Sequence, residues 1–178
     1  GGGVLEELLE RVLDFSFCFE READGTIRFV GHTVLCNDEK GAYKGSYVGA
    51  FKNCIAYDFN KRKSEFLELG IELQDLYKAL YFNIKEKSVL ETMTDELRVY
   101  LEGVFKKSEY SDYKGPLGID AFIFIENGDL KLNPFVELNV RMTMGRFSLG
   151  LSKFLKQNDL GFYGVYPLNK KTKGEFME

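Results

Sequence analysis

The sequence predicts an α+β domain: a largely antiparallel sheet built from two hairpins, with helices packed on one face. Three observations lead there. Residues 15–21 (FSFCFER) and 27–35 alternate apolar and polar side chains around an Asp24-Gly25 turn, which is a hairpin signal. A second pair of runs, 117–125 and 130–140, flanks Glu126-Asn127-Gly128-Asp129, where Asn-Gly favours a tight reversal. Between the two pairs the apolar spacing changes to that of helices.

Taken in order, residues 4–13 carry Val4, Leu5, Leu8, Leu9, Val12 and Leu13 at helical spacing. The first hairpin follows. Residues 36–49, CNDEKGAYKGSYVG, are polar and glycine-rich and predict a surface loop, with Lys40, Tyr43 and Lys44 available to an anion if it acts as a flap. Residues 50–59 fit a strand or a short helix. Residues 66–82 predict a helix through their second half, from Leu73, Leu76, Tyr77 and Leu80. Ser88 and Glu91 have the spacing of a capping box, and Leu90, Met93, Leu97, Leu101, Val104 and Phe105 then share one helical face, ending near Lys106 or Lys107. Pro134 inside the second strand of the central hairpin implies an edge position or a bulge. Residues 144–157 predict a helix and 162–166 a last strand. Residues 1–178 are expected to form a single domain, with a flexible glycine leader at 1–3 and a loose lysine-rich tail at 168–178.

Composition narrows the class. With 44% apolar residues, 16 Phe and 10 Tyr, the chain is globular and rich in strand-forming side chains. A net charge of −4 argues against nucleic acid or a membrane surface as partner, since either polyanion is repelled by the overall field. No apolar run approaches the ~20 residues of a membrane span, and no secretory signal is present. Cys18, Cys36 and Cys54 are an odd, widely spaced set without a Cys-x-x-Cys pair, which suits a reducing cytoplasm better than zinc or a disulfide framework.

The most informative stretch is the central hairpin. Glu137, Asn139 and Arg141 occupy alternate positions, so on a strand they share a face, with neighbours roughly 7 Å apart. Val136, Leu138 and Val140 take the other face. Asp120 lies across from this row if the two strands pair antiparallel. A solvated strand face often carries charges, and the three residues alone leave that reading ahead. Asn is disfavoured in strands, however, and the row ends at Thr143-Met144-Gly145, where a helix start can receive an anion. Two acids and an amide suit a hard cation, and an Arg suits phosphate oxygen, as at a magnesium–nucleotide site.

Other chemistries fit less well. Residues 126–137 have the length of a helix–loop–helix calcium loop, but Gly128 is misplaced and Pro134 interrupts it. An acid-pair hydrolase would use Asp120 and Glu137 but leave Asn139 and Arg141 without a role. His32, the single histidine, reads as structural, with no serine or cysteine nucleophile pattern around it. Neither a Walker phosphate loop nor a dinucleotide-binding glycine motif is present. A binding or scaffold protein without catalysis is the competing class.

The run Gly118-Ile119-Asp120, a hairpin, and then Val136-Glu137-Leu138-Asn139-Val140-Arg141-Met142-Thr143-Met144-Gly145 resembles the magnesium-binding end of the ATP-grasp superfamily. Asp14-Phe15-Ser16, Phe29-Val30-Gly31 and Gly41-Ala42-Tyr43-Lys44-Gly45 are similar to the strand pair and Tyr-x-Gly turn of bacterial ATP-grasp ligases, with Ser46 where those tend to have Asn. The resemblance covers residues 12–150. It implies that Asp120 and Glu137 hold magnesium, with Asn139 on a second ion or a phosphate oxygen. Arg141 would steady the transferred phosphoryl group or the acyl phosphate. The implied reaction activates a small carboxylate with ATP, after which an amine, thiol or similar nucleophile displaces phosphate. It also implies an earlier lobe, carrying lysines and a glycine-rich loop, in the remainder of a longer parent chain. The piece in hand is then the C-terminal lobe, and by itself is expected to be inactive.

Overall fold

The computed structural model describes residues 9–38, 41–84, 87–107 and 109–165. The elements are β1 (Glu10–Arg21), β2 (Ile27–Asn37), β3 (Tyr43–Val48), α1 (Phe51–Lys61), α2 (Lys63–Glu68), α3 (Leu73–Tyr81), a short hairpin of β4 (Asn83–Ile84) and β5 (Lys87–Ser88), α4 (Val89–Lys107), β6 (Gly115–Glu126), β7 (Asp129–Asn139), α5 (Met144–Leu151) and β8 (Gly161–Gly164). Six strands form one sheet in the order β7-β6-β1-β2-β3-β8, every neighbouring pair antiparallel. The chain is therefore an α+β protein whose two hairpins lie side by side, with β1 and β6 as the shared seam.

β1 shows why. Phe15, Phe17 and Phe19 alternate onto one face and are fully buried. Against them pack Ile55 and Phe59 of α1, Phe66 of α2, Leu76 and Leu80 of α3, and Leu97, Leu101 and Phe105 of α4. Each buried Phe or Leu contributes about 1.5–3 kcal/mol of transfer free energy, so this layer supplies most of the driving force. Two sequence signals are realised in detail. Asn127 (φ 55°) and Gly128 (φ 83°) make the β6–β7 reversal. At the start of α4, Ser88 N donates to Glu91 Oε2 at 2.8 Å and Glu91 N donates back to Ser88 Oγ at 3.2 Å.

Several expectations change. The helix expected over residues 4–13 is not formed at 10–13, which belong to β1; residues 1–8 lie outside the described residues. Val12 and Leu13 are almost wholly buried there, and pairing with β6 outweighs a helical spacing that a strand tolerates equally. The loop expected over 36–49 contains β3, paired with β2 at Leu35↔Ser46 and with β8 at Ser46↔Tyr163. Its glycine content hid it. A Cβ on Gly45 would stand 2.4 Å from the Phe162 ring and from the Tyr163 carbonyl, so close approach of β8 selects the residue that made the segment look like a loop. Of the unsettled residues 50–59, 51–59 are helical and belong to α1, with Ala50 as its extended N-cap. The helix expected through the second half of 66–82 is α3, Leu73–Tyr81; it is separated from α2 after Leu69, where Ile71 N donates to Phe66 O at 2.8 Å. Pro134 satisfies both of its options: β7 is an edge strand, and its pairing jumps from Glu137↔Asp120 to Asn133↔Phe122.

The helices do not all lie on one face. α1 to α4 cover the Phe15–Phe17–Phe19 side, while α5 crosses the other, where Thr33 Oγ1 donates to Gly145 O at 3.1 Å. α5 is also shorter than the expected 144–157, passing into a single 3-10 turn at Ser152–Phe154. The leader at 1–3 and the tail at 168–178 fall outside the described residues. Among the described residues no helix is long and apolar enough to cross a membrane.

His32 belongs to the apolar layer. Its ring lies 4.7–6.4 Å from those of Phe29, Phe17, Phe51 and Phe15, with Thr94 Oγ1 3.4 Å from Nε2. Burial among rings disfavours the imidazolium and lowers its pKa from 6.5 to about 3. The unfolded chain therefore binds a proton that the fold refuses between those values, and stability falls as pH drops below 6.5. At pH 5 the loss amounts to about 2 kcal/mol, at ~1.4 kcal/mol per pH unit. His32→Phe is expected to remove that slope, so that its melting temperature falls less between pH 7 and pH 5 than the wild type's. Equal falls in thermal melts at the two pH values would contradict this.

Candidate functional site

The face of the sheet opposite the phenylalanine layer carries a polar row. Register aligns Glu137 of β7 with Asp120 of β6, Asp120 with Ser16 of β1, and Ser16 with Thr33 of β2. The adjacent row runs Asn139, Gly118, Cys18 and Gly31. Because side chains alternate, all eight residues share the face over which α5 lies. The small residues of the second row make room for it. A Cβ on Gly118 would come 2.7 Å from Thr143 Cγ2, and one on Gly31 would touch Leu149.

Asp120 is the hub. Ser16 Oγ donates to its Oδ1, and Asn139 Nδ2 donates to its Oδ2 at 3.2 Å. Ser16 and Asn139 are buried, Asp120 is half-buried and Glu137 exposed. The row therefore grades from a satisfied interior to an open rim. Beyond it, Thr143 caps α5 by accepting from Arg146 N at 3.0 Å, and the Arg146 guanidinium pairs with Glu20 at 3.2 Å. Asp14, one row away on the same face, is engaged elsewhere: it accepts from Asn37 Nδ2 at 3.1 Å and lies 3.5 Å from Arg11.

Electrostatics single out the same residue. Burial pushes the Asp120 carboxyl above its ordinary range; the Ser16 hydrogen bond opposes this, the Glu137 charge adds to it, and Arg141 and Asn139 oppose it. Two carboxylates directly opposite on paired strands repel, a net cost unless something positive stands between them. The available donors are all hard oxygens: the two carboxylates, plus the amide oxygen of Asn139, whose nitrogen is turned to Asp120. That set fits a magnesium-type cation completed by water or phosphate oxygens. Among the described residues no three His, Cys, Asp or Glu side chains converge as an all-protein cage.

The expected site residues are thus brought together in part. Asp120, Glu137 and Asn139 meet as the alternation implied. Arg141 does not continue the strand: β7 ends at Asn139, and Arg141 sits exposed in the bend that leads to Thr143. The chain must turn there to reach the α5 cap, so the alternate-position argument stops two residues early. Arg141 remains near enough for its charge to act on Asp120. Tyr43, expected in a surface loop and available to an anion if that loop were a flap, lies in β3 with its hydroxyl 2.7 Å from Ser46 Oγ; Lys40 is outside the described residues. Ser16 carried no functional signal of its own, although a lone serine between phenylalanines in a central strand marks a buried hydroxyl that needs a partner. A cleft of about 560 Å³ lies elsewhere, between α3 and the β6–β7 turn, lined by Ile71, Lys78, Phe82, Asp129 and Leu130 among others. It shares no residue with the polar row.

No protein-family model matches the chain, and no curated protein matches it.

Gly118 offers a direct check on the geometry. Gly118→Ala places a methyl group against Thr143, with Oγ1 also at 3.3 Å, so the α5 cap must shift. The expected cost is about 1–3 kcal/mol in urea unfolding, with faster amide exchange at Arg146. A variant as stable as the wild type would show that the approach of Thr143 is not tight.

Proposed function

We propose that this chain supplies the metal- and phosphate-binding half of an ATP- and magnesium-dependent carboxylate ligase. The observation that carries the reading is the pairing of Asp120 opposite Glu137, with Asn139 bonded to Asp120 on the same face. The ATP-grasp resemblance of the same residues supports it.

In this reading Asp120 and Glu137 hold the cation, and the amide oxygen of Asn139 completes the protein's donors. A magnesium ion held there would supply charge neutralisation to phosphate oxygens. Arg141, exposed beyond the end of β7, steadies the phosphoryl group as it passes to the substrate carboxylate. The carboxylate oxygen attacks the terminal phosphorus, ADP leaves, and an amine or thiol then displaces phosphate from the acyl carbon. No side chain needs to act as a nucleophile. Phosphoryl transfer asks for position and charge, which is what the row offers. The adenine and the rest of the phosphate chain would be held by the other lobe of a longer protein, in the cytoplasm.

A scaffold that keeps the fold without catalysis is favoured by one observation: both oxygens of Asp120 already have protein donors. An acid-pair hydrolase has less support, since Asn139 lies beside Asp120 and has no part in that scheme. Asp120→Ala and Glu137→Ala are each expected to lower ATP turnover by the intact protein at least ~100-fold, with the circular dichroism spectrum unchanged. The measurement is phosphate release across carboxylates paired with amine or thiol acceptors. Wild-type turnover in both variants would overturn the ligase, and no heat on titration of the intact protein with Mg-ATP would favour the scaffold.

A further inference from the structure

Ser16 stands out among the buried polar groups. Its side chain is 1% exposed, in the middle of the central strand. A serine in such a place commonly satisfies its hydroxyl on nearby backbone. Here the hydroxyl donates instead to a carboxylate 104 residues away in the chain. Asp120 is thereby gripped from both sides, by β1 through Oδ1 and by β7 through Oδ2. Two donors on two different oxygens fix the rotation of the carboxylate plane. Each oxygen keeps a lone pair beyond its hydrogen bond. Thr33, the next hydroxyl along the row, is committed to Gly145 O and does not substitute.

We propose that Ser16 is a positioning residue for a divalent cation: its hydroxyl sets the plane of the Asp120 carboxylate so that a lone pair points toward the space shared with Glu137. This rests on the metal-site reading above and assigns the group that pre-orients it. Removing the hydroxyl leaves Oδ1 without its donor and the carboxylate free to turn toward Asn139. Loss of such a supporting hydrogen bond typically weakens metal binding by about 10- to 100-fold. A purely structural hydroxyl would alter folding but leave the affinity of the folded chain for metal unchanged.

The test is titration of the full 178-residue chain with Mn²⁺, following the free-ion signal by electron paramagnetic resonance. Ser16→Ala and the similarly sized weak donor Ser16→Cys should each raise the dissociation constant at least ~10-fold, and Ser16→Thr, which keeps the hydroxyl, should stay within about 3-fold of wild type. Should Ser16→Ala not fold, by circular dichroism, the Cys and Thr variants decide. Wild-type Mn²⁺ affinity in the Cys variant, or a loss in the Thr variant equal to that in Cys, overturns the role of Ser16 while leaving the metal site standing. A wild-type chain that takes up no Mn²⁺ overturns both.

Discussion

Burial of β1 on both faces is the constraint on which the rest of the structure depends. A strand in the middle of a sheet covered on both sides cannot leave a polar group to water, so each of its side chains must find a partner inside the protein. On one face the partners are apolar, and Phe15, Phe17 and Phe19 gather four helices onto the sheet. On the other face the requirement becomes specific. Ser16 needs an acceptor, and the register with β6 supplies Asp120. Cys18 finds Thr33 and sits in the space between Gly31 and Gly118.

From that seam the candidate site follows outward. Asp120 is anchored to the interior by Ser16 and to the edge strand by Asn139, and it faces a second acid at the rim. The arrangement combines a rigid inner half with an open outer half. A site on paired strands is more precise than one on loops, because the ladder of β1, β6 and β7 fixes the relative heights of Ser16, Asp120 and Glu137. α5 adds a second boundary. Its cap at Thr143 rests on Gly118, and its first turn is pinned by Thr33 through the carbonyl of Gly145. The charges of this region, Arg141 at the bend and the Arg146–Glu20 pair, are thereby placed relative to the carboxylates by backbone packing.

Much of this was legible in the residues. The Asn127-Gly128 turn, the Ser88–Glu91 capping box and the double meaning of Pro134 all act over a few positions, and the chain follows them. That Asp120 and Glu137 share a face was legible from the two-residue period, but their direct pairing was not: the turn register alone would set Asp120 opposite Phe135, and the bulge beside Pro134 brings Glu137 there instead. Where local pattern was ambiguous, distant pairing decided. Residues 10–13 have a spacing that suits either helix or strand, and their neighbour β6 lies more than a hundred residues away. Residues 43–48 look like a loop because Gly45 must admit β8. The end of β7 before Arg141 is set by where α5 begins.

The sequence by itself determined the α+β class, the two hairpins, and the placing of Asp120, Glu137 and Asn139 on one face. Turns, caps and the two-residue period are local and sterically fixed, so they survive whatever the rest of the chain does. Only the tertiary structure decided that α5 crosses the second face, that Arg141 leaves the strand, and that Ser16 donates to Asp120. Those depend on which strand lies beside which, and long-range strand order is set by burial summed over the whole chain rather than by any short stretch of it.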